Sequence, residues 1–239
     1  MNHKLEKFDR SLEEFNIRLN EEQRDQFIWF YELLIEWNSF MNLTAITEFD
    51  EVIEKHFLDS LSIVKVKDLT NQSLLDLGTG AGFPGIPIKI VFPNVKITLV
   101  DSLNKRVQFL NQVIEDLGLE GIEAVHGRAA DLAMKDEYRE HYDICVSRAV
   151  ANLATLSEYC LPFVKCDGSF ISYKAEAADK EILEAKKAIS LCGGVIEKKE
   201  SFQLPYTKYG RNLICIQKIS KTEKKYPRKA GLPSKEPLS

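Results

Sequence analysis

From Ser73 onward the hydrophobic pattern changes period, and that change constrains the fold more than any other feature of the chain. Short apolar runs alternate with longer amphipathic stretches. The runs are SLLDL (73–77), VKITLV (95–100), IEAVH (122–126), YDICVS (142–147), GSFISY (168–173), VIEKKESFQL (195–204) and NLICIQK (212–218). Between the first six, helical patterns fall near 84–92, 102–117, 151–163 and 177–191, while 127–141 is less regular. Strand-length runs separated by helix-length segments predict a parallel sheet covered by helices on both faces. The last two runs are joined by PYTKYGR, too short for a crossover helix, so they are expected to pair antiparallel.

No strand pattern precedes Ser73. Asn20-Glu21-Glu22-Gln23 has the form of a capping box. Behind it Phe27, Phe30, Tyr31, Leu34, Trp37 and Met41 recur at three- and four-residue steps, one apolar helix face. The stretch NLTAITEFDEVIEKHFLDSLSIV then turns and forms another short helix or two. At 239 residues, 44% hydrophobic and 28% charged, the chain suits one α/β domain with an extension. The expected division is a helical extension at 1–70, a core at 71–220 and a tail at 221–239.

No apolar run approaches the roughly 20 residues of a membrane span. The segment MNHKLEKFDRSLEEF has no apolar core of a secretory signal, so a cytoplasmic location is expected. The five cysteines form no C-x-x-C pair and have no histidine at metal spacing. They read as small buried thiols, with no metal site. The net charge of −4 is uneven: from Lys218 to the end there are seven Lys or Arg and two Glu, or +5, which leaves −9 on the rest. A basic tail on an acidic body suits contact with a polyanion, and equally a solvated tail.

The chemistry concentrates in LLDLGTGAGFPGIP, residues 74–87. Gly78, Gly80 and Gly82 alternate behind the first strand, so the backbone there can approach a ligand closely. Gly80 to Gly85 also fits the G-x-G-x-x-G of nicotinamide-binding folds. Pro84 suits the first turn of the next helix. Asp101 ends the second strand, 21 residues after Gly80, where a carboxylate can accept from ribose hydroxyls. Three features favour S-adenosylmethionine over a nicotinamide. Asp76 lies inside the strand, an awkward place beside a pyrophosphate but suited to holding a cationic amino-acid group through water or turn amides. The third strand runs into HGRAADLA, whose acid or amides can meet an adenine edge. No Y-x-x-x-K pair exists at any tyrosine. Seven strands with the last reversed is also the class I methyltransferase architecture, whereas a nicotinamide Rossmann domain has six parallel strands.

The motifs WNSFMNLTAIT, KHFLDSL, DLGTGAGFPGIPIKI, VDSLNKRVQFL, GRAADLA, SRAVANL and KKYPRKAGLPSKEPL together resemble the bacterial 16S ribosomal RNA guanine-N7 methyltransferases, also called the glucose-inhibited division protein B or RsmG family. The resemblance spans Trp37 to Leu238. It implies a Rossmann-like class I fold, S-adenosylmethionine as cofactor and guanine 527 of 16S RNA, or a small-subunit particle, as substrate. Cofactor positions carried over by motif are Gly78 and Phe83 in the glycine turn, Ala129 and Ala130 after the third strand, and Arg148 after the fourth. The sequence departs from the family at Ala130, where Glu is usual, and at Ala175, where Gly is common.

Guanine N7 carries an in-plane lone pair and no proton, so its methylation needs alignment and no general base. The absence of an [N/D]-P-P-[Y/F] motif and of a Pro-Cys nucleophile is consistent with that. Arg148 is expected at the cofactor or target base. Lys174, Lys105, Arg106, Arg228 and Lys229 are expected at RNA phosphates, each with a solvated-charge alternative. Asn42, Thr44, His56, Asp59 and Ser60 fall in the extension and could cover the cofactor mouth; His56 reads first as a core histidine. Two other functions remain open at this point: a methyltransferase of another RNA, a protein or a small molecule, and a non-enzymatic RNA-binding module with a degenerate cofactor site. A monomer is expected.

Overall fold

The computed structural model describes residues 5–148, 151–175 and 178–238. After α1 (Glu6–Glu13) comes the long helix α2 (Glu21–Met41). Its start is fixed by a complete capping box: Asn20 accepts from the Gln23 backbone N–H, and the Gln23 side chain accepts from that of Asn20. Asn42 closes it in the left-handed conformation, φ 53°. A continuous helical segment follows, built from α3 (Phe49–Val52), a π-helical stretch (Ile53–Leu58), α4 (Asp59–Leu61) and a 3₁₀ turn (Ser62–Lys65). π-Helical insertions are rare and re-aim side chains, often at functional sites. The sequence pattern predicted the helix here and not its irregular winding.

The strands are β1 (Ser73–Leu77), β2 (Lys96–Asp101), β3 (Ile122–His126), β4 (Tyr142–Ser147), β5 (Val164–Lys174), β6 (Gly194–Gln203) and β7 (Gly210–Lys218). They form one sheet in the order β3-β2-β1-β4-β5-β7-β6, with β7 antiparallel to both neighbours. The expected seven strands with a reversed last one are therefore present. The crossovers carry α5 (Gly85–Val91), α6 (Asn104–Asp116), α7 (Ala129–Leu132), α8 (Leu153–Cys160) and α9 (Asp179–Leu191), and α10 (Leu232–Lys235) lies in the tail. Pro84 sits one residue before α5 instead of inside it. The irregular 127–141 connection holds only the single turn of α7. Ala177, the first residue of the helix expected at 177–191, lies outside the described residues.

Side chains alternate between two cores, as the pleat requires. Leu74, Ile97, Leu99, Ile144, Val146 and Ile171 face one cluster, shared with Phe8, Phe27, Phe30 and Phe57 of the extension. The extension and the sheet thus bury one core together. Phe57 stacks on Phe30 at 5.4 Å between centroids; truncating a buried ring of this kind costs about 3–5 kcal/mol. Leu75, Leu77, Val100, Cys145 and Phe170 face the second cluster, with α8, α9 and Tyr226 of the tail. Cys145, Cys160, Cys192 and Cys215 are buried as read from the sequence, whereas Cys166 is exposed because β5 begins earlier than expected and carries it on a solvated stretch.

The tail is strapped to the body. Arg139 donates to the carbonyls of Thr222, Glu223 and Tyr226. Arg228 makes a two-pronged pair with Glu158 of α8, and Thr155 donates to the Pro233 carbonyl at 2.8 Å. Among the described residues no helix is long and apolar enough to cross a membrane.

Candidate active site

From β1 the chain winds outward to β2 and β3 in one direction and resumes at β4 and β5 in the other. The carboxyl ends of β1 and β4 therefore lie beside a topological switch point, where open α/β sheets bind ligands. Ser147 at the end of β4 donates to the Leu77 carbonyl at 2.9 Å, tying the two strand ends together.

The turn after β1 needs its glycines for different reasons. Gly78, Gly80 and Gly82 all have positive φ, 73°, 62° and 91°. A Cβ on Gly80 would meet no atom within 4 Å and would project into open space. A Cβ on Gly82 would lie 2.3 Å from Ile86 Cδ1 and 3.1 Å from Leu110. Gly82, expected at the cofactor, thus serves the packing of the turn on α5 and α6.

Asp76 is fully buried beneath this turn. Its Oδ2 accepts from Thr79 Oγ1 at 2.6 Å and from the Gly85 N–H at 2.8 Å, while Oδ1 has no partner. Burial pushes its carboxyl up to about 6, against the pull of these hydrogen bonds. Asp76 does not line the cavities described below; it braces the turn from below through Thr79 and the Gly85 amide. Asp101 accepts from the Gly80 N–H at 3.0 Å, from the Leu103 N–H at 2.9 Å and from Arg106 at 3.3 Å. It is both the acid at the start of α6 and a clamp on the glycine turn.

Two adjoining cavities open here and share Gly78, Arg106 and Ala151. The smaller, about 320 Å³, is lined by Leu77, Val100, Asp101, Ala129, Leu156 and Ser234 of the tail, among others. Ala129 reaches it; Ala130 is turned into the core, because α7 points that side of its turn inward. The larger, about 980 Å³, includes Gly80, Phe83, Thr44, His56, Asp59, Arg148, Lys174 and Arg211 in its wall.

One side of the larger cavity's wall is a continuous polar network centred on Asp59 and Arg148. Asp59 accepts from Arg148 at 3.2 Å and from Arg211 Nε at 3.0 Å. Arg148 also donates to the Lys55 carbonyl at 3.1 Å and to His56 Nδ1 at 3.2 Å, and lies 5.1 Å above the Phe83 ring. A guanidinium has no acceptor, so Nδ1 of His56 accepts and its proton sits on Nε2, which donates to Thr44 Oγ1 at 2.9 Å. Burial, with the Arg148 charge added, pushes the His56 imidazole down to about 3. The ring stacks on Phe83 at 4.5 Å. The π-helical stretch carries Lys55 and His56, and Asp59 opens α4 just beyond it.

Several expected RNA contacts are placed otherwise. Lys174 donates to the Ala151 carbonyl and pairs with Glu181 at 2.7 Å, so it belongs to the cavity wall. Ala175 also lines the wall, its carbonyl accepting from Asn212 at 2.9 Å. Arg228 is committed to Glu158 and the Glu236 carbonyl and acts as a strap, which corrects its assignment to phosphate. Lys105 is exposed and reaches the Met41 carbonyl; Arg106 turns inward to Asp101. Lys229 is exposed. Sequence reading missed Arg211, Tyr173 and Thr79. Arg211 had one signal, an arginine directly before the apolar run of β7. Among the described residues no cluster of His, Cys, Asp or Glu could hold a metal.

A family model described as rRNA small subunit methyltransferase G matches residues 23–210. The chain is 54% identical over 232 residues to Ribosomal RNA small subunit methyltransferase G of Lachnoclostridium phytofermentans, covering 97% of this chain and 96% of that one. The chain belongs to this family. A protein of the same name from Desulforamulus reducens is 52% identical over 231 residues, with 96% of each chain covered. The crystal structure of M. jannaschii TYW2 in complex with AdoMet shares the fold, with a TM-score of 0.56 over 73% of this chain and 80% of that one; at 15% identity the likeness concerns the fold alone. The family member described here is an S-adenosylmethionine-dependent methyltransferase. Its residues fit that cofactor. The smaller cavity is an apolar slot with a carboxylate, Asp101, whose four lone-pair positions receive three donors from the protein. The space above Gly80 stays open.

Proposed function

We propose that this enzyme methylates N7 of guanine 527 in 16S ribosomal RNA, in the cytoplasm. One observation carries the reading: the acid–base side chains named in the wall of the larger cavity are all engaged by the protein itself. Asp59 is held between two arginines, and Glu181 accepts from Lys174 and from the Leu153 N–H. His56 has both ring nitrogens occupied and resists protonation. Among the described residues no acid–base side chain named in this wall is left unengaged, which suits a nucleophile that has no proton to lose, and N7 is such an atom. An exocyclic amine or a ribose hydroxyl must shed a proton and would call for a base within reach.

S-adenosylmethionine, when bound, supplies an electrophilic methyl group. Asp101 and the open turn at Gly80 are then the groups placed to hold its ribose and let it approach the backbone. Leu77, Val100, Ala129 and Leu156 give an apolar seat for a flat ring. On the larger side Arg148 is fixed by Asp59, His56 and the Phe83 face, so its position costs little ordering on binding. Arginine is the side chain best matched to the O6 edge of guanine. Lys55, Arg148 and Arg211 give that cavity a cationic wall for a polyanion. A base must leave its stack to enter, and the cavity has room for one.

The test is a transfer assay with tritiated S-adenosylmethionine and small-subunit particles or 16S RNA from cells that lack the methylation. Label mapped to one guanine of the RNA is the expected result. Label on protein, or on no nucleotide, removes the reading and leaves the fold unaffected.

A further inference from the structure

We propose that Phe40 and Leu103 form a stacking shelf for single-stranded RNA at the mouth of the larger cavity, a statement that rests on the RNA reading above and extends it to nucleotides flanking the target. Phe40 is 66% exposed, more than any other large hydrophobic side chain among the described residues. It is not a loose side chain. Its ring packs on Trp37 with centroids 5.5 Å apart, and Trp37 packs on Phe109 at 5.6 Å. Phe109, on the inner face of α6, is fully buried in the core. The three rings form a ladder anchored in the core whose outermost member faces water. A rigid, exposed aromatic ring of this kind is what unstacked nucleobases pack against.

The shelf adjoins the cavity along two chain segments. Phe40 lies three residues before Leu43, and Leu103 three residues before Arg106; both Leu43 and Arg106 line the larger cavity. Three residues span at most about 11 Å. Leu103 is 43% exposed and immediately precedes α6. The Lys105 Nζ to Met41 carbonyl bond, 3.2 Å, holds the start of α6, which follows Leu103, against the end of α2, which carries Phe40. Lys105 stands on the exposed side; Arg106, on the cavity side, is paired with Asp101, and Glu36 is exposed one turn before Phe40 on α2. An apolar, aromatic surface with Lys105 at its edge, leading into a cavity of base-holding size with Lys55, Arg148 and Arg211 in its wall, fits an extended polynucleotide better than an uncharged protein partner. The base lies flat on Phe40, the adjacent phosphate falls near Lys105, and the next nucleotide enters the cavity.

The experiment measures binding of the full chain to unmethylated 16S RNA at several salt concentrations, for wild type, F40A, F40W and K105A, with S-adenosylmethionine affinity measured by calorimetry in each. Loss of one base stack should weaken RNA binding by F40A between about fivefold and a hundredfold. The salt slope of F40A should equal that of wild type, since no phosphate contact is removed, whereas K105A should flatten it by about one unit. F40W should bind as wild type, and all four should bind S-adenosylmethionine alike. Wild-type RNA affinity in F40A overturns the shelf, as does equal loss in F40A and F40W. RNA bound normally but never methylated by wild type would instead sink the proposed reaction and leave the shelf standing.

Discussion

The guanidinium of Arg148 donates to Nδ1 of His56 across 3.2 Å, so that burial and this neighbouring cation together hold the imidazole in the cavity wall neutral. A proton on that ring would face Arg148 at contact distance in a half-buried site.

This arrangement makes a stability prediction with a definite sign. His56 titrates ordinarily near 6.5 and in the folded chain near 3. Between those values the unfolded chain binds a proton that the folded chain refuses, so stability falls as pH drops through the window. Asp76 acts oppositely: its carboxyl moves from 3.8 up to about 6, so the folded chain binds the extra proton and stability rises as pH falls between them. Urea denaturation from pH 4 to 8 should show H56Q losing the first slope and D76N losing the second. In D76N the amide carbonyl still accepts from Thr79 and Gly85. Curves parallel to wild type for both variants would contradict the burial described for these groups.

The glycine turn separates packing from binding. G80A should fold, with a cost of about 1–2 kcal/mol for a left-handed alanine, and should lose S-adenosylmethionine affinity at least about tenfold because the new methyl enters the open space at the turn. G82A should mainly lose stability, as its Cβ would collide with Ile86. Melting temperature and calorimetric affinity, measured together, check the pair. Equal loss of both quantities in both variants would overturn the distinction.

The tail prediction concerns Arg228. Glu158 is almost completely buried, and removing its partner leaves an unpaired charge in the core. R228A should therefore destabilise the protein by about 3 kcal/mol, and R228M combined with E158Q should cost less than R228A alone. Because Ser234 lines the smaller cavity, R228A should also weaken cofactor binding, whereas its effect on the salt dependence of RNA binding should be small. Limited proteolysis releasing the tail from R228A, and not from wild type, is the direct readout.

Much of the fold could be read from the chain because its signals were local. The runs at Ser73–Leu77 and Tyr142–Ser147 coincide with strands, and the Asn20–Gln23 box does start α2. The site was harder to read because its geometry is long-range. Arg148 meets Asp59 across 89 positions and Arg211 meets it across 152, distances at which spacing carries no signal. Charged residues that looked solvated, Lys174 and Arg228, are pinned by Glu181 and Glu158, partners that only the fold brings near. The glycines were visible as a group, but only their surroundings tell Gly80, open to a ligand, from Gly82, packed on Ile86.

The central claim is that the reacting atom is guanine N7. A methyl group there leaves a fixed positive charge on the purine, and the nucleotide becomes sensitive to borohydride reduction followed by aniline cleavage. Purified enzyme, S-adenosylmethionine and unmethylated 16S RNA or small-subunit particles should be incubated, treated with both reagents and read by primer extension. The account predicts one new stop, at guanine 527, that requires both enzyme and cofactor. Methyl transfer to the RNA with no cleavage after treatment would contradict it.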